Sequence, residues 1–209
     1  MRLRTAFASV AMALVVSVGL RAGDGNIELT PQVGYLFGAR AYSYNYAGEF
    51  YFDPNIWYGA SLDFAVNPGL ELELSGTYSK TSVTLQNYSS VIPDSKLFDV
   101  TSLYITIGAL HEQRKGKLRP YIGGAVGVAV FTPDNVLYET LTRMAIEFKG
   151  GLKADVSEKI GIRLQARLLA PLSFAGLGFW CGSGGCSSGV SAGSTFAQFE
   201  LSGGLYFVL

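Results

Sequence analysis

Residues 198–209 alternate in two registers to the last position of the sequence. Phe199, Leu201, Gly203, Leu205, Phe207 and Leu209 share one face, and Gln198, Glu200, Ser202, Gly204, Tyr206 and Val208 share the other. A period of two defines a β-strand with one apolar face. In water, a long strand with an apolar end is prone to fraying and edge pairing. It is stable when it closes a barrel inside a membrane, where neighbouring strands pair every backbone polar group.

Composition points the same way. Charged residues make up 15% of the 209 positions, while 49% are hydrophobic, with 26 Gly, 12 Tyr and 13 Phe. Glycine and aromatics in this abundance suit strands better than helices. A formal net charge of zero argues against nucleic acid as a partner.

Residues 1–22 read as a cleaved secretory signal: Arg2 and Arg4 precede an apolar run over 6–20, and Ala22 is the expected last residue before cleavage. Residues 23–209 then form one domain. No later apolar run approaches the about 20 residues a spanning helix needs, so a membrane reading rests on strands.

Eight strands are expected, at 26–38, 56–66, 70–80, 98–111, 119–131, 143–155, 160–172 and 198–209. Phase is clear in all but the fourth. The connections alternate long and short. The long ones are 39–55, 81–97, 132–142 and 173–195; the short ones include Asn67, Pro68 and Gly69, a tight-turn signal. In an antiparallel up-and-down barrel this puts every long connection at one end, the asymmetry of an outer-membrane barrel with its long loops outside.

Alternation also fits a soluble lipocalin-like carrier with its apolar face inside. Four features favour the membrane version: uniformly short turns at one end, a sparse and glycine-rich charged face, an apolar face nearly free of charge, and aromatics near strand ends. Tyr35, Phe37, Trp57, Tyr58, Tyr78 and Phe131 gather toward the long-loop end and Phe207 toward the other, as interfacial girdles do. The lumen then receives Asp63, Glu71, Glu73, Glu147, Lys149, Lys153, Arg163, Arg167 and Glu200. Mixed signs permit mutual pairing, either as an ion path with a gate or as a rigid plug. An eight-stranded barrel is only wide enough for side chains to fill, which favours the plug.

The leader, the eight strands and the run Arg119-Pro120-Tyr121-Ile122-Gly123-Gly124-Ala125-Val126-Gly127 resemble the small outer-membrane β-barrel family of OmpA, OmpX and OmpW. The last strand resembles the signal read by the barrel assembly machinery, with Ser202, Gly204, Phe207 and Leu209 at its positions and Leu209 in place of the usual Phe. The resemblance implies a monomer in the outer membrane of a Gram-negative-type bacterium, with membrane lipid and the assembly machinery as partners. It implies architecture rather than activity. The OmpA peptidoglycan-binding domain is not expected, since the sequence stops at strand eight.

Candidate chemistry is thin. Cys181 and Cys186 in an exported chain are expected to form a disulfide that stiffens a loop tip; without a nearby His they make poor zinc ligands. His111, the one histidine, falls at the short-turn end with Glu112 and Gln113 beside it, away from where a lipid A-modifying site would lie. No catalytic residue, metal or cofactor is expected. Tyr42, Tyr44, Tyr46, Phe50, Tyr51 and Phe52 have the composition of a binding surface, or else line a first hairpin extended beyond the membrane. The expected role is structural and interactive: a rigid barrel presenting its loops, with 39–55 and 173–195 as the candidate ligand-binding segments. The alternatives are a narrow OmpW-like conduit for small apolar solutes, a lipid A-modifying enzyme, and a lipocalin-like carrier.

Overall fold

The computed structural model describes residues 27–42, 48–87, 95–135, 138–182, 185–194 and 197–209. The expected leader, 1–22, lies outside them, as do Tyr44 and Tyr46. Eleven strands are formed: β1 Ile27–Leu36, β2 Ala39–Tyr42, β3 Gly48–Phe52, β4 Asn55–Asn67, β5 Leu70–Asn87, β6 Ser95–Glu112, β7 Leu118–Pro133, β8 Leu141–Asp155, β9 Ile160–Gly182, β10 Gly185–Ser194 and β11 Gln198–Val208.

Eight of them make the wall. β1, β4, β5, β6, β7, β8, β9 and β11 pair in that order, and β11 pairs back to β1, so the barrel closes. All pairings are antiparallel. The closing seam keeps one register on both sides of Thr30 and Pro31, from Leu29 opposite Phe207 to Gln32 opposite Gly204. Pro31 has no N–H to give the ladder.

The three short turns share one end. Gly69 sits at φ +84°, a left-handed position that favours glycine, and Gly116 at φ +64° plays the same part between β6 and β7. Val156 N–H donates to the Ile160 carbonyl at 3.0 Å in the third turn. At the other end the long connections are more regular than their composition suggested. β2 and β3 fold within 39–55, β5 and β6 stay paired up to Leu85 opposite Ser95 with one register shift between Val83 and Thr84, and β9 and β10 form a hairpin within 173–195. Segments read as polar loops are therefore strand extensions. Their Ser, Thr, Tyr and Gly content is compatible with hairpins whose ladders are satisfied internally, with no need for an apolar face.

The molecule is apolar outside and polar within. Ile107, Ile122, Phe148 and Leu164 are 58%, 67%, 62% and 56% exposed, whereas Asp63, Lys153, Arg163 and Glu147 are at most 1% exposed. This inversion holds on every wall strand, including β6, where Leu103, Ile105 and Ile107 face out while Ser102, Tyr104 and Thr106 face in. A soluble lipocalin-like carrier would have the opposite arrangement.

Candidate functional site

The lumen is the site. All nine charged residues expected to point inward do so: Asp63, Glu71, Glu73, Glu147, Lys149, Lys153, Arg163, Arg167 and Glu200 are buried. Alternation along each strand delivers them, because one residue in two must face the axis. Three further charged residues join them: Glu28 on β1, Glu112 at the end of β6 and Arg119 on β7. Seven buried carboxylates thus face five buried cations.

The groups are stacked from the short-turn end upward. Lowest, Arg119 Nη1 lies 2.8 Å from Glu28 and 3.3 Å from Glu112, and its Nε lies 3.0 Å from Asp155. The Arg119 guanidinium also covers the Tyr206 ring at 4.9 Å. Above it, the Lys153 ammonium reaches Glu28 and Glu71 at 2.7 Å and Asp63 at 3.0 Å. The ammonium donates to Glu28 and Glu71, and Asp63 adds a third carboxylate as an ion pair.

Next comes Arg163, whose five donors are all used. Nη1 donates to Asp63 at 2.8 Å and Ser61 at 3.0 Å, Nη2 to Glu73 at 2.5 Å and Gln165 at 2.8 Å, and Nε to Tyr121 at 2.8 Å. Lys149 joins Glu73 to Glu147, the latter at 2.5 Å, and Thr106 donates to Glu147 at 2.9 Å. Higher still, Arg167 pairs with Glu200 and stacks 4.4 Å from the Trp57 ring. The Tyr104 hydroxyl then donates to Gln198 at 2.5 Å.

Four of these links run between strands on opposite sides of the ring. They are Arg119 of β7 to Glu28 of β1, Lys153 of β8 to Asp63 of β4, Arg163 of β9 to Glu73 of β5, and Tyr104 of β6 to Gln198 of β11. A chain of buried, mutually paired charges offsets the cost of taking each out of water. It also fills the bore at successive heights. Below it, a cavity of about 700 Å³ opens at the short-turn end, lined by Glu28, Glu71, Glu112, Arg119, Asp155 and Tyr206 among others.

Above the charged stack the interior turns apolar. Val83, Val100, Tyr104, Ala129, Phe131, Ala145 and Leu169 form one buried cluster, with Phe50, Phe52 and Phe98 packed against it. Two girdle assignments are corrected here. Trp57 is 1% and Phe131 7% exposed, and both point into the lumen. Trp57 shares the parity of Ser61 and Asp63 on β4, so alternation places it inside whatever its preference for interfaces. Tyr35, Phe37, Tyr58 and Tyr78 do face outward.

Three inward rings lie over glycines directly across the ladder: Trp57 opposite Gly34, Tyr121 opposite Gly151 and Tyr206 opposite Gly161. A Cβ at Gly34, Gly151 or Gly161 would come within 2.4, 2.6 or 2.1 Å of the ring. These glycines make room for aromatic plates against the wall.

The remaining predicted residues are dispersed. His111 is exposed on the outer face, opposite Leu70 and Ile122 at the short-turn end. Ser202 donates to Gln32 at 3.4 Å, Gly204 lies against the Pro31 carbonyl, and Leu209 N–H bonds to the Ile27 carbonyl at 2.9 Å. Phe207 pairs with Leu29 and Ile160 on the two sides of β11. Cys181 and Cys186 are backbone partners across the β9–β10 hairpin; their side chains lie outside the described set.

A closed, eight-stranded antiparallel barrel with an apolar exterior and a charged, filled interior defines a small transmembrane β-barrel of the outer-membrane type. No family model matches the chain, and no curated protein matches it. Solved structures do. Neisserial surface protein A covers 88% of this chain and 97% of its own, at 15% identity and a TM-score of 0.56. OprG from Pseudomonas aeruginosa covers 88% and 97%, at 12% identity and a TM-score of 0.63. The outer membrane protein AlkL, solved in DMPC lipid bilayers, covers 88% and 90%, at 12% identity and a TM-score of 0.59. At these identities the likeness is one of fold.

Proposed function

We propose that this protein is a non-catalytic, monomeric resident of the outer membrane that presents strand-extended hairpins on a barrel held rigid by its lumen. The observation that carries this reading is the set of four side-chain links across the bore, centred on Arg163 with all five of its donors engaged. A wall tied to itself across its diameter resists flattening and offers no continuous aqueous path. Its partners are outer-membrane lipid on the apolar belt, the barrel assembly machinery through Ser202, Gly204, Phe207 and Leu209, and a surface ligand on 39–55 or 173–195. Cell fractionation with gel mobility before and after heating tests the placement. A membrane fraction whose mobility changes on heating is expected; recovery in the soluble periplasm would contradict it.

A second reading, a conduit for small apolar solutes, is favoured by one observation. The upper lumen is apolar, and among the described residues no pairing joins β10 to β2 in the wall beside it. Such a solute would enter from outside and leave sideways, above the charged stack. Saturable quenching of Trp57 fluorescence by a brominated alkane would support this; quenching no stronger than that of denatured protein would exclude it.

A further inference from the structure

The short-turn end divides its charges between the mouth of the bore and the outer rim. Arg114 and Glu158 line the mouth. Asp155 is held by Arg119 at 3.0 Å and accepts the Tyr206 hydroxyl. Lys115 and Lys117, between β6 and β7, and Lys159, between β8 and β9, are exposed. The ladder runs on past β6 through Gln113 N–H to the Pro120 carbonyl at 2.9 Å and through the Lys115–Leu118 bridge. Lys115 therefore keeps the outward parity of His111.

Main-chain bonds hold the two turns as one platform. Gly116, at φ +64°, makes the tight bend between Lys115 and Lys117. The Lys117 carbonyl accepts the Asp155 N–H at 2.9 Å, which ties this turn to the next. The Lys159 carbonyl accepts the Val208 N–H at 2.9 Å, which ties that turn to β11. The outer wall directly above is apolar, with Leu118, Ile122, Ile160 and Ile162 exposed. At the opposite end of the barrel the exposed lysines share a carboxylate: Lys80 and Lys96 reach Asp99 at 3.9 and 2.6 Å.

We propose that Lys115, Lys117 and Lys159 form a headgroup site for an anionic phospholipid of the phosphatidylglycerol class, in the leaflet at the short-turn end. This rests on the membrane reading and adds which lipid the barrel selects, and where. Acyl chains lying on Leu118, Ile122 and Ile160 bring their phosphodiester to the level of the three ammonium groups. Lysine stems can follow the apolar wall while their heads stay among the headgroups. Each lysine near an anionic leaflet strengthens its attraction about fivefold. A zwitterionic headgroup carries its own cation beside the phosphate and gains less. A soluble anion or a wall polymer matches the charge but leaves the adjoining apolar wall unused, so the lipid is the better occupant.

The test uses the full mature chain in nanodiscs of equal phosphatidylcholine and phosphatidylglycerol. Native mass spectrometry after gentle release counts the lipid retained. Wild-type protein should keep phosphatidylglycerol over phosphatidylcholine by about fivefold or more. The triple variant Lys115→Gln, Lys117→Gln, Lys159→Gln should lose that preference, and the same three changes to arginine should keep it. Lys80→Gln with Lys96→Gln should also keep it. Amides of Lys115, Gly116, Lys117 and Lys159 should shift saturably as phosphatidylglycerol replaces phosphatidylcholine. Equal retention of the two lipids by wild type would overturn the proposal, as would an undiminished preference in the glutamine variant. The same amide shifts produced in phosphatidylcholine discs by inorganic phosphate or by soluble peptidoglycan fragments would overturn it too, in favour of a soluble anion or a wall polymer. Heat-modifiable mobility and wall-strand amide exchange are read in phosphatidylcholine alone, so failure of the barrel reading is seen separately.

Discussion

Arg163 of β9 and Glu73 of β5 meet across the full width of the barrel, Nη2 to Oε2 at 2.5 Å, although 90 positions separate them in the chain. Arg163 also holds Asp63, so one guanidinium ties three wall strands together. Replacing it with leucine leaves two buried carboxylates short of a cation. Arg163→Leu should cost about 3–5 kcal/mol in urea unfolding from lipid. Adding Glu73→Leu should recover part of that, because the partner charge goes too. A loss below about 1 kcal/mol would mean water reaches and screens the pair.

The neighbouring position tests the opposite face. Leu164 is 56% exposed on the outer surface. An arginine there would lie in hydrocarbon, and Leu164→Arg should cost about 2–4 kcal/mol near the bilayer midplane. If Leu164→Arg were harmless and Arg167→Leu were harmless too, the two faces would be reversed.

Gly161 and Tyr206 are direct partners across the β9–β11 ladder, and a Cβ on Gly161 would fall 2.1 Å from the Tyr206 ring. Gly161→Val should therefore destabilise the barrel by about 1–3 kcal/mol through overpacking. Tyr206→Ala in the same chain should relieve the clash, so the double variant loses less than the two single losses added. Additive losses would show that the ring does not depend on the glycine.

The backbone pairing of Cys181 with Cys186 puts their Cα atoms within the span a disulfide bridges, since opposed residues in antiparallel strands are about 4.5–5.5 Å apart. The exported protein should show no titratable thiol until reduced. Two reactive thiols in unreduced protein would contradict a disulfide there.

Much of this architecture is written in alternation. Arg163, Gln165 and Arg167 opposed to Ile162, Leu164 and Leu168 give β9 its phase from sequence, and the same pattern fixes eight wall strands and nine lumen charges. What alternation cannot give is the partner across the bore. Arg163 meets Glu73 only because the ring places β9 opposite β5. Glu28 and Arg119 were legible by parity, as each shares a face with inward neighbours, Thr30 in one case and Tyr121 in the other. Glu112 was hidden in a charged turn. Trp57 and Phe131 mislead because aromatic residues suit both an interface and a glycine-lined interior, and only parity decides. The extension within 39–55 was one of two readings its aromatics allowed, while the hairpin within 173–195 read as a Gly/Ser loop because strands outside a membrane need no apolar face to mark them.

The central claim is that the bore is shut by paired side chains. Single-channel recording of the full mature protein in planar bilayers tests it most directly. The account predicts a flat baseline at neutral pH, with no stable conductance steps. Discrete, reproducible steps from wild-type protein would contradict it.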